Sequence, residues 1–320
     1  MDQIASPFET VTIFGGATLD RVAASAMPPV MGASNPGNVR RVPGGVGFNA
    51  ATVLARLGLK TRLVTAIGSD PDGQAILAAA VRAGVDVGHV VVSGTAGTAA
   101  YHATLDNTGN LIIGIADMKV CDEITPAAVA PATARADGDF WVVDANLPPA
   151  TLAFLGAEAK DARVPIAALT VSPAKAVRLR PILDSITYLF TNRREAAALL
   201  GYNPDEAGLA VTALARELTG TRPTKVVVTN GNEPLAASSK GEVRSYASLR
   251  AAVKSVNGAG DSFAAGTIYG LAAGHALSDA IRFGRAAAVL ALEAGGIAGA
   301  PFSADTLAER LTAGPAQIAS

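Results

Sequence analysis

Short runs of β-branched and apolar residues alternate with helical patterns along most of the chain. Two of these runs, Val11–Phe14 and Phe140–Asp144, have the length and composition of strands that are buried on both faces. Regular alternation of this kind is typical of a mainly parallel sheet with helices on both faces. The sequence therefore predicts an α/β fold. The other predicted sheet strands span 62–67, 164–169, 188–190 and, with the turn that follows it, 225–231.

Length and composition indicate one large domain over residues 1–320. A chain with 50% apolar residues can bury a large core, roughly three quarters of its unfolded surface at this length. The net charge of −1 provides no basic field, so we expect no nucleic-acid partner. No stretch reaches membrane-spanning length without glycine, proline or charge, so we expect no membrane partner. The single cysteine, Cys121, fits a reducing compartment, and we expect a cytoplasmic protein.

A glycine-rich turn, Asn257–Gly260, stands directly before a helical pattern that begins near Ser262. Unpaired N–H groups at a helix start bind anions, and glycine lets a phosphate approach the backbone. Asp261 repels phosphate, but it is well placed to take a proton from a hydroxyl that attacks one. The pattern predicts phosphoryl transfer. The alternative is that Asp261 only caps the helix and the glycines only form a turn.

A second glycine-rich helix start spans Pro43–Asn49. It fails as a dinucleotide fingerprint, because Ala50 takes the third glycine position and no acidic residue ends the strand at 62–67. This failure argues against a nicotinamide-dependent oxidoreductase. Asn49 in the first turn is instead suited to hydrogen-bond a neutral hydroxyl group of a ligand.

Asp20 follows the first strand and its glycine loop. In α/β sheets ligands bind beyond the carboxyl ends of the strands, and a carboxylate there can accept two hydrogen bonds from a vicinal diol. We therefore expect Asp20 to bind substrate. The alternative is an Asx turn.

Polar residues also follow two later strands. Asn192 and Glu195 fall one helical turn apart, where they can order water around a magnesium ion. An N-x-x-E capping box at the start of the helix is an equal alternative. Thr229 ends the next strand and can reach a nucleotide phosphate.

Two segments interrupt the alternation of strands and helices. Residues 21–42 are rich in turn residues, and residues 89–116 contain short strands with Asp106–Gly109 as a hairpin turn. We expect these two segments to pair as a small β-sheet lid inserted in the domain. The last residues, from Ala313, have the composition of a loose tail.

Three features in this order resemble the ribokinase-like (PfkB) family of sugar and nucleoside kinases: an Asp after the first strand, PGGVGFN, and NGAGD. The resemblance covers almost the whole chain and implies the ribokinase-like fold, with ATP and Mg²⁺ as cofactors and a K⁺ requirement that is frequent in the family. It implies Asp261 as general base on the attacking hydroxyl. The implied sugar-binding residues are Asp20, Gly44, Gly45 and Asn49. The resemblance also implies that the N–H groups of Ala259 and Gly260 stabilise charge on the transferring phosphoryl group, and that Gly258 belongs to the same catalytic turn. The implied nucleotide and Mg²⁺ residues are Asn192, Glu195, Thr229, Gly231, Asn257, Gly258 and Gly260.

Three lid stretches, 34–37, 105–109 and 115–118, resemble the corresponding stretches of pseudouridine kinases, which phosphorylate the ribose 5′-hydroxyl of a C-linked nucleoside. The resemblance implies that lid residues contact the substrate, the candidates being Ser34, Tyr101, His102 and Asp117. Tyr101 and His102 are adjacent on one strand, so only one of them can face the ligand. Phe48 departs from the GGVGRN of those kinases.

We therefore expect an ATP-dependent kinase that acts on pseudouridine. The alternatives are a kinase for ribose, another sugar or an ordinary nucleoside, and a non-catalytic nucleoside sensor. Lids of this family often pair between subunits, so the resemblance also implies a homodimer formed through the lid.

Overall fold

The computed structural model describes residues 8–134, 138–220 and 224–312. The expected tail from Ala313 lies outside the described residues. In chain order the strands are β1 (Thr10–Phe14), β2 (Thr18–Ser25), β3 (Gly37–Gly44), β4 (Thr61–Val64), β5 (Ala66–Gly68), β6 (Val85–Asp86), β7 (Val91–Ser93), β8 (Ala100–Leu105), β9 (Leu111–Asp117), β10 (Asp139–Asp144), β11 (Ile166–Leu169), β12 (Tyr188–Asn192), β13 (Lys225–Asn230), β14 (Glu233–Ser239) and β15 (Glu242–Tyr246).

Helices occupy six of the fourteen connections between these described strands, and three more follow the last strand. In chain order they are α1 (Val46–Arg56), α2 (Pro71–Arg82), α3 (Pro126–Thr133), α4 (Pro149–Ala162), α5 (Pro173–Ala176), α6 (Arg193–Leu200), α7 (Val211–Thr219), α8 (Ala259–Ala272), α9 (Leu277–Ala294) and α10 (Ala304–Thr312). Short 3-10 helices span Lys119–Glu123 and Val177–Ser185. None of the helices in the described ranges combines the length and the apolar character that crossing a membrane requires.

The central sheet has nine described strands in the order β15-β14-β13-β12-β11-β10-β1-β4-β6. From β13 to β6 neighbouring strands are parallel, and the β14–β15 hairpin adds an antiparallel edge. Both faces are covered, which explains the continuous apolar strands: Phe140, Trp141 and Val142 are all inaccessible to solvent. The predicted α/β fold with a mainly parallel sheet is confirmed.

The chain order reverses its direction across the sheet at β1. From β1 the strands proceed to β4 and β6 on one side, and then to β10 and the strands beyond it on the other. The carboxyl ends of β1 and β10 lie side by side, since Phe14 pairs with Val143. A crevice forms where the connections on either side of such a reversal diverge, and ligands bind there.

A separate four-stranded sheet, here called the lid, has the order β3-β2-β8-β9. Strands β2 and β3 are antiparallel over their whole length, from Thr18–Gly44 to Ser25–Gly37. Expected hairpin residues Asp106–Gly109 connect β8 to β9, and the Asp106 amide donates to the Asn110 carbonyl at 2.9 Å.

One expectation for the lid is wrong. The strand expected near residues 89–93 does not join the lid, because Val91–Ser93 pairs in parallel with Ala66–Gly68 in a two-stranded sheet of its own. A three-residue strand contains too little pattern to specify its partner, and the partner is set by where the preceding helix, α2, returns the chain.

Candidate active site

The start of α8 presents backbone amides and one carboxylate. Gly258 precedes the helix in the left-handed conformation, with φ of 74°, and a Cβ at this position would lie 2.7 Å from Ile297 Cδ1. The Ser262 amide makes the first helical hydrogen bond, to the Gly258 carbonyl at 2.9 Å. The amides before Ser262 therefore precede the helical ladder, in the orientation that favours an anion. Asp261 belongs to this same first turn.

The expected amide donors at this turn differ in their surroundings. The Ala259 amide makes a long hydrogen bond of 3.4 Å to the Val256 carbonyl. Gly260 is exposed, and a Cβ added to it would have no described atom within 4 Å. The helix start thus has open space directly above Gly260, where a ligand can approach the backbone.

Asp261 is hydrogen-bonded to the other glycine-rich helix start. Asn49, in the first turn of α1, donates from Nδ2 to Asp261 Oδ2 at 2.7 Å across 212 positions of sequence. The fold therefore brings the two motifs into one site. Because the bond holds the carboxylate through Oδ2, Oδ1 can accept a hydroxyl from a bound molecule.

The environment of Asp261 makes it a stronger base than an ordinary aspartate. Burial raises the pKa of Asp261 to about 6, the hydrogen bond from Asn49 lowers it, and the carboxylates of Asp144, Glu195 and Asp20 raise it. A carboxylate with this pKa is mostly ionised at neutral pH but holds a proton more readily than usual. The group is therefore suited to general-base work.

Asp20 lies in β2, at the base of the lid. The Thr18 hydroxyl donates to Asp20 Oδ1 at 2.7 Å. Burial raises the pKa of Asp20, and the hydrogen bond from Thr18 opposes the rise. Its other oxygen, Oδ2, would lie 2.5 Å from a Cβ added to Gly44, so the absence of a side chain at Gly44 makes room for the carboxylate.

The start of α1 is packed against the loop after β1. Gly45 has φ of 92°, and a Cβ there would lie 2.7 Å from the Gly16 carbonyl oxygen. A Cβ on Gly47 would lie 2.9 Å from Gly15 Cα. These two glycines therefore allow two backbone segments to touch, which positions Asn49 one turn further on.

A cavity of about 200 Å³ opens beside Asp261. It lies between the starts of α1 and α8 and the carboxyl ends of β11, β12 and β13. Its polar lining includes Thr170, Thr191, Asn192, Glu195, Thr229, Gly260 and Asp261, and its apolar lining includes Val46, Leu169, Val171, Phe190, Val227, Phe263 and Ala264. The predicted residues Asn192, Glu195 and Thr229 thus share one cavity with the predicted base.

Asn192 and Glu195 form the capping box that the sequence left as an alternative. Asn192 Oδ1 accepts from the Glu195 amide at 3.0 Å, and Glu195 Oε2 accepts from the Asn192 amide at 3.2 Å. Glu195 Oε2 also accepts from the Thr170 hydroxyl. Glu195 is only 8% exposed, so most of its side chain is buried beside the capping box. The remaining exposed part lines the cavity.

The register of the lid decides between Tyr101 and His102. Paired residues on neighbouring strands point to the same face, and Tyr101 pairs with Asp20. His102 pairs with Arg21 on the opposite face, where Arg21 Nη1 lies 3.0 Å from His102 Nε2. Tyr101 is therefore the member of the pair on the same face as Asp20.

Within the described part of the chain, the lining of this cavity includes none of the expected acceptor contacts Asp20, Gly44, Gly45, Asn49, Tyr101 and His102. Four further expected contacts also lie away from it. Asp117 pairs with Ala100, which places it on the lid face opposite Asp20. Ser34 is exposed in the connection between β2 and β3. Gly231, with φ of 61°, lies in the turn after β13, and Asn257 is exposed just before the start of α8. Their roles stay predictions.

Sequence reasoning missed a buried network beside the site. Asp144 ends β10 with no exposed surface, and it accepts from the Gly16 amide and the Asn146 amide, both at 2.8 Å. Lys175 donates from Nζ to Asn146 Oδ1. Burial raises the pKa of Asp144. The signal was readable: Asp144 also stands at the carboxyl end of a strand, the rule that selected Asp20.

The fold and the site define a kinase that transfers a phosphoryl group to an alcohol. The family model described as pfkB family carbohydrate kinase matches residues 9–302, and the chain belongs to this family. Pseudouridine kinase of Escherichia coli (strain K12) is 32% identical over 88% of this chain and 90% of its own. The expected membership of the ribokinase-like family is confirmed.

Solved structures show the same architecture. A carbohydrate kinase from Agrobacterium tumefaciens has a TM-score of 0.81 and 34% identity, covering 95% of this chain and 97% of its own. Arabidopsis thaliana ribokinase, solved in complex with ribose and ATP, has a TM-score of 0.80 and 21% identity, covering 95% of this chain and 99% of its own. This second likeness concerns the fold.

Proposed function

We propose that the chain transfers the γ-phosphoryl group of ATP to the ribose 5′-hydroxyl of pseudouridine, giving pseudouridine 5′-phosphate and ADP. The observation that carries the phosphoryl transfer is Asp261, whose pKa is raised to about 6 by burial and which is held by Asn49 at the amide-rich start of α8. The choice of pseudouridine is supported by the identity to the Escherichia coli pseudouridine kinase over most of both chains.

In the proposed reaction the acceptor is held from both sides of the crevice. Asp20 and Asn49 bind ribose hydroxyl groups, with Tyr101 on the same lid face as Asp20. Asp261 takes the proton of the attacking hydroxyl while the new P–O bond forms and the bond to the ADP oxygen breaks. The amides of Ala259 and Gly260 stabilise negative charge on the transferring group. The lid excludes water, which would otherwise compete as acceptor.

Magnesium fits the oxygen donors near the nucleotide end of the cavity. The hydrogen bonds described for the Glu195 carboxylate, from Thr170 and Asn192, both reach Oε2, so Oε1 can hold a water of a magnesium ion. We therefore propose that Glu195 and Asn192 hold Mg²⁺ through water. When bound, Mg²⁺ neutralises charge on the phosphate oxygens. We also propose a K⁺ requirement. Asn257 directly precedes Gly258 at the start of α8, and this turn is the part of the site that K⁺ would affect.

The lid supports a further proposal about assembly. Val39, Ile113 and Ile115 lie on its face opposite Asp20 and are 68%, 53% and 60% exposed. A group of exposed apolar side chains on one face is typical of an interface. We therefore propose a homodimer through the lid. Light scattering at working concentration tests it, and a monomer would exclude the dimer.

The decisive experiment is a panel of acceptors with Mg-ATP. Pseudouridine, uridine, inosine, adenosine, ribose and fructose are incubated with the protein, with and without K⁺, and ADP release and product mass are measured. The expected result is turnover of pseudouridine well above that of uridine, with the phosphate on the 5′-oxygen by phosphorus NMR. An Asp261→Asn variant is run beside the wild type and is expected to lose that turnover.

The other outcomes identify the alternatives. Preference for ribose or another nucleoside would keep the mechanism, since Asp20, Asn49 and Asp261 face any ribosyl acceptor, and would reject pseudouridine. Nucleoside binding without phosphorylation of any acceptor would reject the kinase and favour a sensor. The intact Asp261 argues against a sensor, because binding alone needs no base there.

A further inference from the structure

The backbone at the end of β11 makes an unusual turn. Val171 has φ of +66°, a conformation that is sparsely populated for residues other than glycine and is unfavourable for a β-branched one. The Ser172 amide donates to the Thr170 carbonyl at 2.7 Å, across Val171 alone. An i to i+2 hydrogen bond with a positive central φ defines the rarer and strained form of γ-turn.

Other described residues with positive φ that are not glycine lie in ordinary places. Arg163 ends α4, where a left-handed residue is common, and Lys240 lies in the β14–β15 hairpin turn before Gly241. Both are exposed, and neither is β-branched. The turn at Val171 is neither a helix end nor a hairpin turn. The cause of its strained conformation must therefore lie in the surrounding structure.

Contacts on both sides of Val171 hold the turn in place. The Thr170 hydroxyl donates to Glu195 Oε2 and lies 3.1 Å from Thr191 Oγ1, which ties it to β12 and α6. On the other side the Ser172 carbonyl accepts from the amides of Lys175 and Ala176 at 3.1 and 2.8 Å, which fixes the start of α5. A strained conformation persists where its neighbours determine it in this way.

The turn places an apolar side chain on the wall of the cavity. Val171 is half-buried and lines the same cavity as Gly260, Asp261 and Thr229. Glycine would adopt the backbone conformation without this strain, but it would leave no side chain on that wall. The combination of strain with a β-branched side chain therefore indicates that the side chain has a role in the cavity.

We propose that Val171 excludes water from the base, with its isopropyl group closing the cavity wall beside Asp261 so that the acceptor hydroxyl, and not water, gives its proton to that carboxylate. This inference rests on the proposed kinase function. Removing an apolar contact from a substrate pocket typically reduces kcat/KM by about tenfold to a few hundredfold. Opening the wall also admits water to the base, so ATP is hydrolysed without phosphorylation of the acceptor.

The experiment compares Val171→Gly and Val171→Asn with the wild type. Glycine relieves the backbone strain and removes the side chain from the cavity wall. Asparagine tolerates positive φ and keeps a side chain of similar size. Arg163→Gly is the matched control, because it relieves a positive φ far from the cavity. The measurements are Tm, kcat/KM for the acceptor, and the ratio of ADP formed to acceptor phosphorylated.

The expected result for Val171→Gly is an unchanged or higher Tm, a fall in kcat/KM of about tenfold or more, and a ratio of ADP to phosphorylated acceptor above one. Val171→Asn is expected to keep the ratio closer to one than Val171→Gly, and Arg163→Gly to match the wild type in both kinetic measures. Wild-type kcat/KM and ratio in Val171→Gly would overturn the inference, as would a lowered Tm with unchanged kinetics per folded molecule. An inactive wild type would instead contradict the proposed function.

Discussion

The two glycine-rich helix starts of this protein are alike in sequence but differ in structure. At α1, glycine is required by the protein itself: a Cβ on Gly45 would meet the Gly16 carbonyl oxygen at 2.7 Å, and one on Gly47 would meet Gly15 Cα at 2.9 Å. The turn at α1 is a place where one backbone segment crosses another. Its glycines are needed for packing, and packing positions Asn49.

At α8 the conditions are different. Gly258 supplies a left-handed residue before the helix, but a Cβ added to Gly260 would have no described atom within 4 Å. The space that Gly260 leaves open lies beside Asp261, on the cavity. Gly258 is restricted by packing against Ile297, whereas under the proposed function the space at Gly260 is taken by the phosphate of the bound nucleotide. Glycines in similar motifs can therefore differ: Gly45 and Gly47 are required by contacts within the chain, whereas Gly260 borders open space.

The largest expected effect is on catalysis at the α8 start. Asp261→Asn removes the proposed base and should lower kcat about 100-fold to 10,000-fold. The same change should raise Tm at pH 8, because burial makes the Asp261 charge unfavourable in the folded protein. The measurements are steady-state kinetics and thermal unfolding. Asp279→Asn, at an exposed position in the first turn of α9, is the control: it should leave kcat unchanged and should not raise Tm, because the charge of Asp279 favours the helix start. Near-wild-type kcat in Asp261→Asn would exclude Asp261 as base.

The next largest effect is on stability at the α1 start. Gly45→Ala forces a methyl group against the Gly16 carbonyl and strains φ of 92°, so it should lower the free energy of unfolding by about 3 kcal/mol. Gly58→Ala is a matched control, because Gly58 has φ of 95° with no described atom in the way, and it should lose only about 1–2 kcal/mol. Urea unfolding measures both. Equal losses would contradict the packing argument.

The pH dependence tests the link between the two helix starts. Since burial raises the pKa of Asp261 to about 6, kcat/KM should fall about tenfold for each pH unit below that value. The pKa of Asp261 in the folded protein lies above the ordinary value of 3.8. The stability that the protonated carboxyl contributes is therefore fully present below pH 3.8 and is lost as pH rises through about 6. The Tm advantage of Asp261→Asn should therefore shrink from pH 8 to pH 4. Asn49→Ala removes a hydrogen bond that lowers the pKa, and it should move the acid limb of the profile to higher pH.

The smallest expected effect is at Gly260. Gly260→Ala adds a methyl group in open space within a helix, which should leave the free energy of unfolding unchanged or raise it by up to about 1 kcal/mol. The methyl group should nevertheless obstruct the bound phosphate and raise KM for ATP a few-fold. Gly94→Ala, also in open space but away from the site, is the control for both measurements. An unchanged KM in Gly260→Ala would show that the open space is not used by the nucleotide.

Much of the fold was readable because its signals are local. The apolar strands and helical patterns predicted the mainly parallel sheet, and the motif glycines marked two helix starts. The partner of Val91–Ser93 was predicted wrongly, since pairing of a short strand depends on where the chain returns and not on its own residues. The lid strands were expected as a group, but their register was not.

The sequence by itself determined the residue types at the site: a carboxylate after the first strand, an amide in the first turn of α1, and a carboxylate among amides at α8. Only the tertiary structure decided which of them meet. It joined Asn49 to Asp261 across 212 positions, turned Tyr101 toward the face of Asp20 and His102 away from it, and buried Asp144 beneath Gly16. It also held Val171 in a strained turn. Residue identity is a local property, whereas distance, burial and strain arise when distant segments pack together.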